Sequence, residues 1–170
     1  MNTPEKPSTW EELVGEDTSA AMLRRFMSEQ IPFNVHLGLE VRELSEGSAV
    51  LALPFRPEFV GDPIRPALHG GTISMLADTA GGAAVIAGLR MRGLVSTIDL
   101  RIDYLRPGAL LELVAEGRLV RLGGRVGVAR IQVWQQSAEG NDSDEARSAE
   151  DGGRRLIAEA TGVYSVRRPE

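Results

Sequence analysis

One carboxylate stands out by its surroundings. Residues Gly70 to Leu89 read GGTISMLADTAGGAAVIAGL, a run of small and apolar residues whose only charge is Asp78. A carboxylate in such company loses hydration, so it must find hydrogen-bond partners or hold its proton more tightly. Buried, perturbed carboxylates cluster at active sites. Asp78 is therefore read as a general base or a nucleophile, ahead of a merely paired structural Asp. His69, Gly70 and Gly71 open the same run. The first N–H groups of a helix have no internal partner and lie at the positive end of its dipole. Glycine lets a substrate oxygen approach that backbone, which suits a developing oxyanion. A tight turn into the helix would use the same glycines, and Asp78 further along the helix is what favours the chemical reading.

Little else in the chain competes for that role. There is no cysteine, which excludes a disulfide framework, a thiolate-bound zinc and a thiol nucleophile. His36 and His69 are the only histidines, so no His-rich metal site is expected, and no cofactor is called for. His69 has no acidic partner beside it in sequence and reads as a helix-opening or packing residue before a proton carrier. His36, between Phe33 and Leu37, reads as a structural residue of a loop. The net charge of -5 argues against nucleic-acid binding. That whole surplus lies in Ala138 to Gly153, where Glu139, Asp142, Asp144, Glu145, Glu150 and Asp151 are set against Arg147 alone. The segment has almost no large apolar residue to offset its ordering entropy and reads as a mobile acidic loop, 138–153, between two strands. Charges break the first apolar cluster, Trp10 to Ile31, so no signal peptide is read. The run at 70–89 does not read as a membrane span, because it is rich in Ala and Gly and a mid-span carboxylate costs roughly 2.5–3.5 kcal/mol on insertion scales. A cytoplasmic protein that meets neither membrane nor nucleic acid is expected.

The elements that must position these residues follow from patterning. A chain of 170 residues fits one domain. Thr9 to Gln30 suggests short helices, with Ser19 as a cap, Met22, Leu23, Phe26 and Met27 as an apolar stripe, and Pro32 as the stop. Residues 1–32 are thus an N-terminal helical segment ahead of a main domain, 33–170. Leu39 to Leu44 and Ala49 to Phe55 read as strands joined by a turn at Ser45 to Ser48. Arg56 to Leu68 carries Pro57, Pro63 and Pro66 and reads as loop. Gly70 to Leu89, apolar all round, is a buried helix, and Gly81 and Gly82 imply that another backbone comes close. Leu94 to Leu105 alternates, with Leu94, Ile98, Leu100, Ile102 and Tyr104 on one face and Thr97, Asp99, Arg101 and Asp103 on the other. Leu111 to Leu122 and Arg125 to Gln136 form a hairpin about Gly123-Gly124, and Arg154 to Val166 closes the set. The expectation is α+β: an antiparallel sheet of five or six strands wrapped around one central helix.

The stretch from His69 to Ala80, HGGTISMLADTA, resembles the helix motif of hotdog-fold acyl-CoA thioesterases of the phenylacetic-acid-degradation type. Ser96 to Gly108, STIDLRIDYLRPG, matches the strand that follows in that family, and Ala158 to Gly162 fits its closing strand. The resemblance covers roughly residues 33 to 167, and the two long motifs together are specific. It implies a hotdog fold, acyl-CoA as substrate, and a homodimer or dimer of dimers with sites at subunit interfaces. Carried over by position, Gly70 would donate its N–H to the thioester oxygen and Asp78 would be the catalytic carboxylate. Thr97 falls where members place a Ser or Thr that holds the attacking water. His69, Gly71, Ser96 and Thr97 would contact substrate. Members often carry an Asn shortly before His-Gly-Gly. This chain has Asp62 near that place, with a spacing one residue longer, and Asp62 inherits the expected water-positioning role.

Two other classes share these features. An enoyl-CoA hydratase of the same fold would pair an Asp with a downstream His, as Asp62 and His69 echo, but here the two are too far apart and the family's intervening Asn-Pro is missing. A non-catalytic acyl-CoA binding protein would have lost the helix carboxylate, which is present. The acyl group itself is not legible, and Arg90, Arg92, Arg121 and Arg125 are candidates for the CoA phosphates.

Overall fold

The computed structural model describes residues 20–136 and 153–168. Ser19, the expected cap, and nearly all of the acidic segment 138–153 lie outside the described residues. The first described element, α1 (Ala20–Arg25), runs on as one π-helical turn over Phe26–Gln30, and Leu23 and Met27 of this pair are buried in the main core. Pro32 was expected only to stop a helix. It also starts one, α2 (Pro32–Leu37), where proline at the first position costs no hydrogen bond. His36 is accordingly helical and not part of a loop. Gly38 closes α2 with φ 70, the left-handed cap that glycine adopts without strain.

Six strands form one antiparallel sheet: β1 (Glu40–Ser45), β2 (Ser48–Leu53), β5 (Leu94–Tyr104), β6 (Leu113–Leu122), β7 (Val126–Gln136) and β8 (Arg154–Arg167). Their spatial order is β1-β2-β6-β7-β8-β5, which leaves β1 and β5 as the edges. The segment 56–68, expected to be loop, holds a 3-10 turn (Pro57–Phe59) and a two-stranded ladder of β3 (Val60–Asp62) and β4 (Ala67–Leu68). Its prolines fall in the turns and at positions that need no ladder N–H. The link between β6 and β7 takes Gly123, Gly124 and Arg125, one residue more than the expected two-residue hairpin, and neither glycine has positive φ.

The central helix α3 (Gly70–Gly88) packs against all six strands of the main sheet. Small side chains let them close on it. Ala77, Ala80, Ala83 and Ala84 are fully buried. At Gly117 of β6 a Cβ would lie 2.3 Å from the Ala80 carbonyl oxygen, so the backbone approach inferred for α3 occurs there. Gly81 has another reason: a Cβ on it would meet the Tyr164 hydroxyl at 2.1 Å. Gly162, two residues before Tyr164, is open for the same ring. The α+β expectation of a sheet around one helix holds, with six strands.

The simple alternation expected for β5 does not. Thr97 pairs with Tyr164 and Asp99 with Val163, so Ile98 is an extra residue bulged out of the ladder. The bulge resets the parity. Val95 and Leu100 and Ile102, of opposite parity, all pack against the core, and Thr97 faces α3 with them. Ile98, expected inward, is exposed.

Candidate active site

Asp78 lies midway along α3, half-buried, on the side facing β5. The Thr97 hydroxyl donates to its carboxylate, 2.9 Å to Oδ1 and 3.2 Å to Oδ2. The Tyr164 hydroxyl donates to the Asp78 main-chain carbonyl at 3.1 Å. Burial, followed by the negative charge of Asp78, pushes the Tyr164 phenol well above its ordinary 10.0, so it remains a donor. Asp78 thus has the partners that a carboxylate in an apolar helix requires. It also remains open on one side, because Thr97 and its neighbours on β5 are exposed.

At the start of α3 the His69 ring turns back over the first turn. Its Nδ1 accepts the Gly71 N–H at 2.9 Å, which leaves the ring proton on Nε2. A Cβ on Gly71 would lie 2.8 Å from that Nδ1, so glycine at 71 serves this cap. Thr72 N–H goes to the His69 carbonyl at 2.9 Å, and His69 N–H to the Phe59 carbonyl at 2.8 Å. Gly70 N–H has no acceptor among the described residues, and it is the donor left at the dipole's positive end. A Cβ on Gly70 would make only ordinary contact with the Tyr104 ring, at 3.5 Å. The Tyr104 hydroxyl donates to the Gly70 carbonyl at 3.1 Å and fixes that turn from β5.

The remaining expected residues are not gathered here. Ser96 stands next to Thr97 on the strand, pairs with Ser165, and is therefore on the opposite face of the sheet. Asp62 is taken up by its own turn: Oδ1 accepts the N–H groups of Ile64 and Arg65, at 2.9 and 3.0 Å, and Oδ2 the Arg65 Nε at 3.2 Å. The Arg65 N–H, then that of Ile64, hold its carboxyl below the usual carboxylate range. Tyr164 and Tyr104 were not found by sequence reasoning. Both act on main-chain carbonyls distant in sequence, which no local motif announces. Among the described residues, no group of three His, Cys, Asp or Glu is placed to hold a metal ion, and no helix is long and apolar enough to cross a membrane.

Residues 66–140 match the family model of the thioesterase superfamily. Medium/long-chain acyl-CoA thioesterase YigI of Salmonella typhimurium is 37% identical over 119 residues, 62% of this chain and 77% of that protein. The chain belongs to the thioesterase superfamily. YigI of Escherichia coli K12 is 36% identical over the same length. A thioesterase-superfamily protein solved by X-ray crystallography shares 31% identity with a TM-score of 0.71, over 89% of this chain and 100% of that one. The PaaI protein from the phenylacetic acid degradation operon of Escherichia coli has the same fold at 23% identity, with a TM-score of 0.66 over 85% of this chain and 88% of that one. The chain has the hotdog fold, a sheet around a central helix, and shares it with these two solved structures.

Proposed function

We propose that this thioesterase hydrolyses acyl-CoA to free acid and CoA, with Asp78 as general base and the Gly70 N–H as oxyanion donor. The observation that carries this reading is the Thr97–Asp78 hydrogen bond, made on the open side of a half-buried carboxylate. The Thr97 hydroxyl donates its hydrogen bond to the Asp78 carboxylate, so its oxygen is free to accept one from a water. The second carboxylate lone-pair set accepts that water's other proton. The water oxygen attacks the thioester carbon, and its proton passes to Asp78. The carbonyl oxygen takes up negative charge opposite the Gly70 N–H. When the C–S bond breaks, the proton held by Asp78 neutralises the departing CoA thiolate. The medium/long-chain acyl-CoA named for YigI is the substrate class this reading favours.

The two groups do not meet within one chain. Gly70 and Asp78 are eight residues apart, roughly 12 Å along a helix, whereas both must lie about 3 Å from one reacting centre. A two-fold pair with antiparallel helices sets Gly70 of one copy against Asp78 of the other. The edge strand β5 beside them exposes Leu94, Ile98 and Tyr104, with exposed Leu105 just beyond it, apolar surface that a second copy would cover. The site is thus composite, in a homodimer or a dimer of dimers. Hydration of an enoyl-CoA is disfavoured because the Asp62 and His69 it would use are engaged in their own turn and helix cap. The test is release of CoA thiol from an acyl-CoA panel. Hydrolysis by wild type and its loss in Asp78→Asn are expected, and an Asp78→Asn enzyme as fast as wild type would overturn the assignment.

A further inference from the structure

A cleft of about 270 Å³ opens between α2 and the first turns of α3. Phe33 and Leu37 of α2, Phe59 and Val60 of the segment before α3, and Met75 of α3 make its apolar walls. His69, Gly71 and Thr72 line it at the helix start, the same turn that carries the unpaired Gly70 N–H. Resting on the thioesterase reading above, we infer that this cleft seats the acyl tail, that the tail is an unbranched alkyl chain, and that Leu37 and Phe33 set its length.

Three observations support the occupant. The residues on either side of Gly70, His69 and Gly71, line the cleft, so an acyl group whose carbonyl oxygen is held at Gly70 starts beside it. The walls offer no charge for the CoA phosphates and little for the pantetheine amides, so the acyl end is the part that belongs inside. The apolar cleft, about 270 Å³, has room for an alkyl chain of several carbons, more than an aromatic ring would fill. Glu58, exposed on the rim, sets its charge against any acyl group that ends in a carboxylate.

The wall is also held in place, as a length gauge must be. The buried Asn34 side chain donates from Nδ2 to the Met27 carbonyl at 2.8 Å and ties α2 to the preceding helix. Arg56 donates from Nη1 to the His36 carbonyl at 2.6 Å and ties its other end to the segment between β2 and the 3-10 turn. The Phe59 carbonyl accepts the His69 N–H, so one wall of the cleft and the residue preceding Gly70 are joined by a single bond.

The experiment uses non-hydrolysable thioether analogues of saturated acyl-CoAs from four to sixteen carbons, with affinity measured by calorimetry and thiol release from the matching thioesters measured alongside. For wild type, affinity should rise roughly fourfold per methylene until the cleft is filled and then level off within the series. Leu37→Trp fills the cleft, so the plateau should come several carbons earlier with the four-carbon analogue bound as before. Phe33→Ala should move it later. Phe33 is more than half exposed, so this variant decides alone if Leu37→Trp fails to fold. A length profile unmoved by Phe33→Ala and Leu37→Trp, tighter binding of phenylacetyl or succinyl analogues, or no binding of any analogue would overturn the inference. Binding with the expected profile but no thiol release would sink the thioesterase reading and leave the cleft assignment standing.

Discussion

Thr97 and Tyr164 are cross-strand partners on β5 and β8, and both bond to Asp78: the threonine hydroxyl to its carboxylate, the tyrosine hydroxyl to its main-chain carbonyl. One rung of the ladder therefore fixes a residue of the helix at both ends. In the proposed reaction only the threonine contact touches the reacting groups. The two contacts should separate under mutation.

Thr97→Val removes the hydroxyl and keeps the shape. The expected result is a fall in kcat of roughly ten- to a hundredfold, since positioned proton-transfer groups contribute about 10²–10⁴ in rate. KM should change little, because the loss falls on the transition state. Thr97→Ser, which keeps the donor, should recover most of the rate. Steady-state thiol release checks this, and a Thr97→Val enzyme with wild-type kcat would remove Thr97 from the mechanism.

Tyr164→Phe should act on stability instead. A net loss of about 1 kcal/mol is expected for one buried hydrogen bond. There is a pH signature too. The folded-state phenol holds its proton above the ordinary 10.0, so below pH 10 both states are protonated and stability is unaffected. Above it the unfolded chain loses the proton first, and stability falls as pH rises. Denaturant titrations from pH 8 to pH 11 should show a one-proton slope in wild type beyond that in Tyr164→Phe. Parallel curves would mean that Tyr164 titrates normally.

These two residues also mark how far the sequence could be read. The central helix was legible because an apolar run with a single charge fits a buried helix and little else, and the six strands because alternation and Gly turns bracket them. The facing of Thr97 was not. Strict alternation sets it opposite Leu100, and only the extra residue Ile98, which no local pattern announces, brings both to the helix. Tyr164 was hidden because its partner is a main-chain carbonyl 86 residues away. Pro32 read as a stop and proved also to be a start, since proline is tolerated at either boundary. The prolines of 56–68 likewise masked the short ladder of β3 and β4.

Asp62 stands where the family resemblance expects a water-positioning residue, but its oxygens are bonded within its own turn. Asp62→Asn keeps an acceptor for both N–H groups and should leave kcat and KM within roughly threefold of wild type, the scale of an ordinary surface change. The native carboxylate is favoured by these bonds, so its contribution to stability is present above the unfolded value of 3.8 and is lost as pH falls through the lowered one. Acid titration should show Asp62→Asn lacking that share of the acid sensitivity. A drop in kcat of a hundredfold would restore Asp62 to the site.

The proposed composite site makes a prediction that no single-chain site can meet. Asp78→Asn removes the carboxylate. Gly70→Pro removes the N–H donor at a helix position where proline is tolerated. Each variant alone should be inactive, by roughly a hundredfold or more for Asp78→Asn. In a mixed dimer, one interface pairs the mutated Gly70 position of one copy with the mutated Asp78 of the other and carries both lesions. The second interface pairs the intact Gly70 with the intact Asp78. Random pairing of equal amounts makes about half of the dimers mixed, each with one of two sites restored, so co-refolding should recover roughly a quarter of wild-type activity. Mass spectrometry of the native complex verifies that mixed dimers have formed. Their formation without recovered activity would place the donor and the carboxylate of each site within one chain, and the roughly 12 Å between Gly70 and Asp78 along α3 would then have to be bridged by groups other than these two.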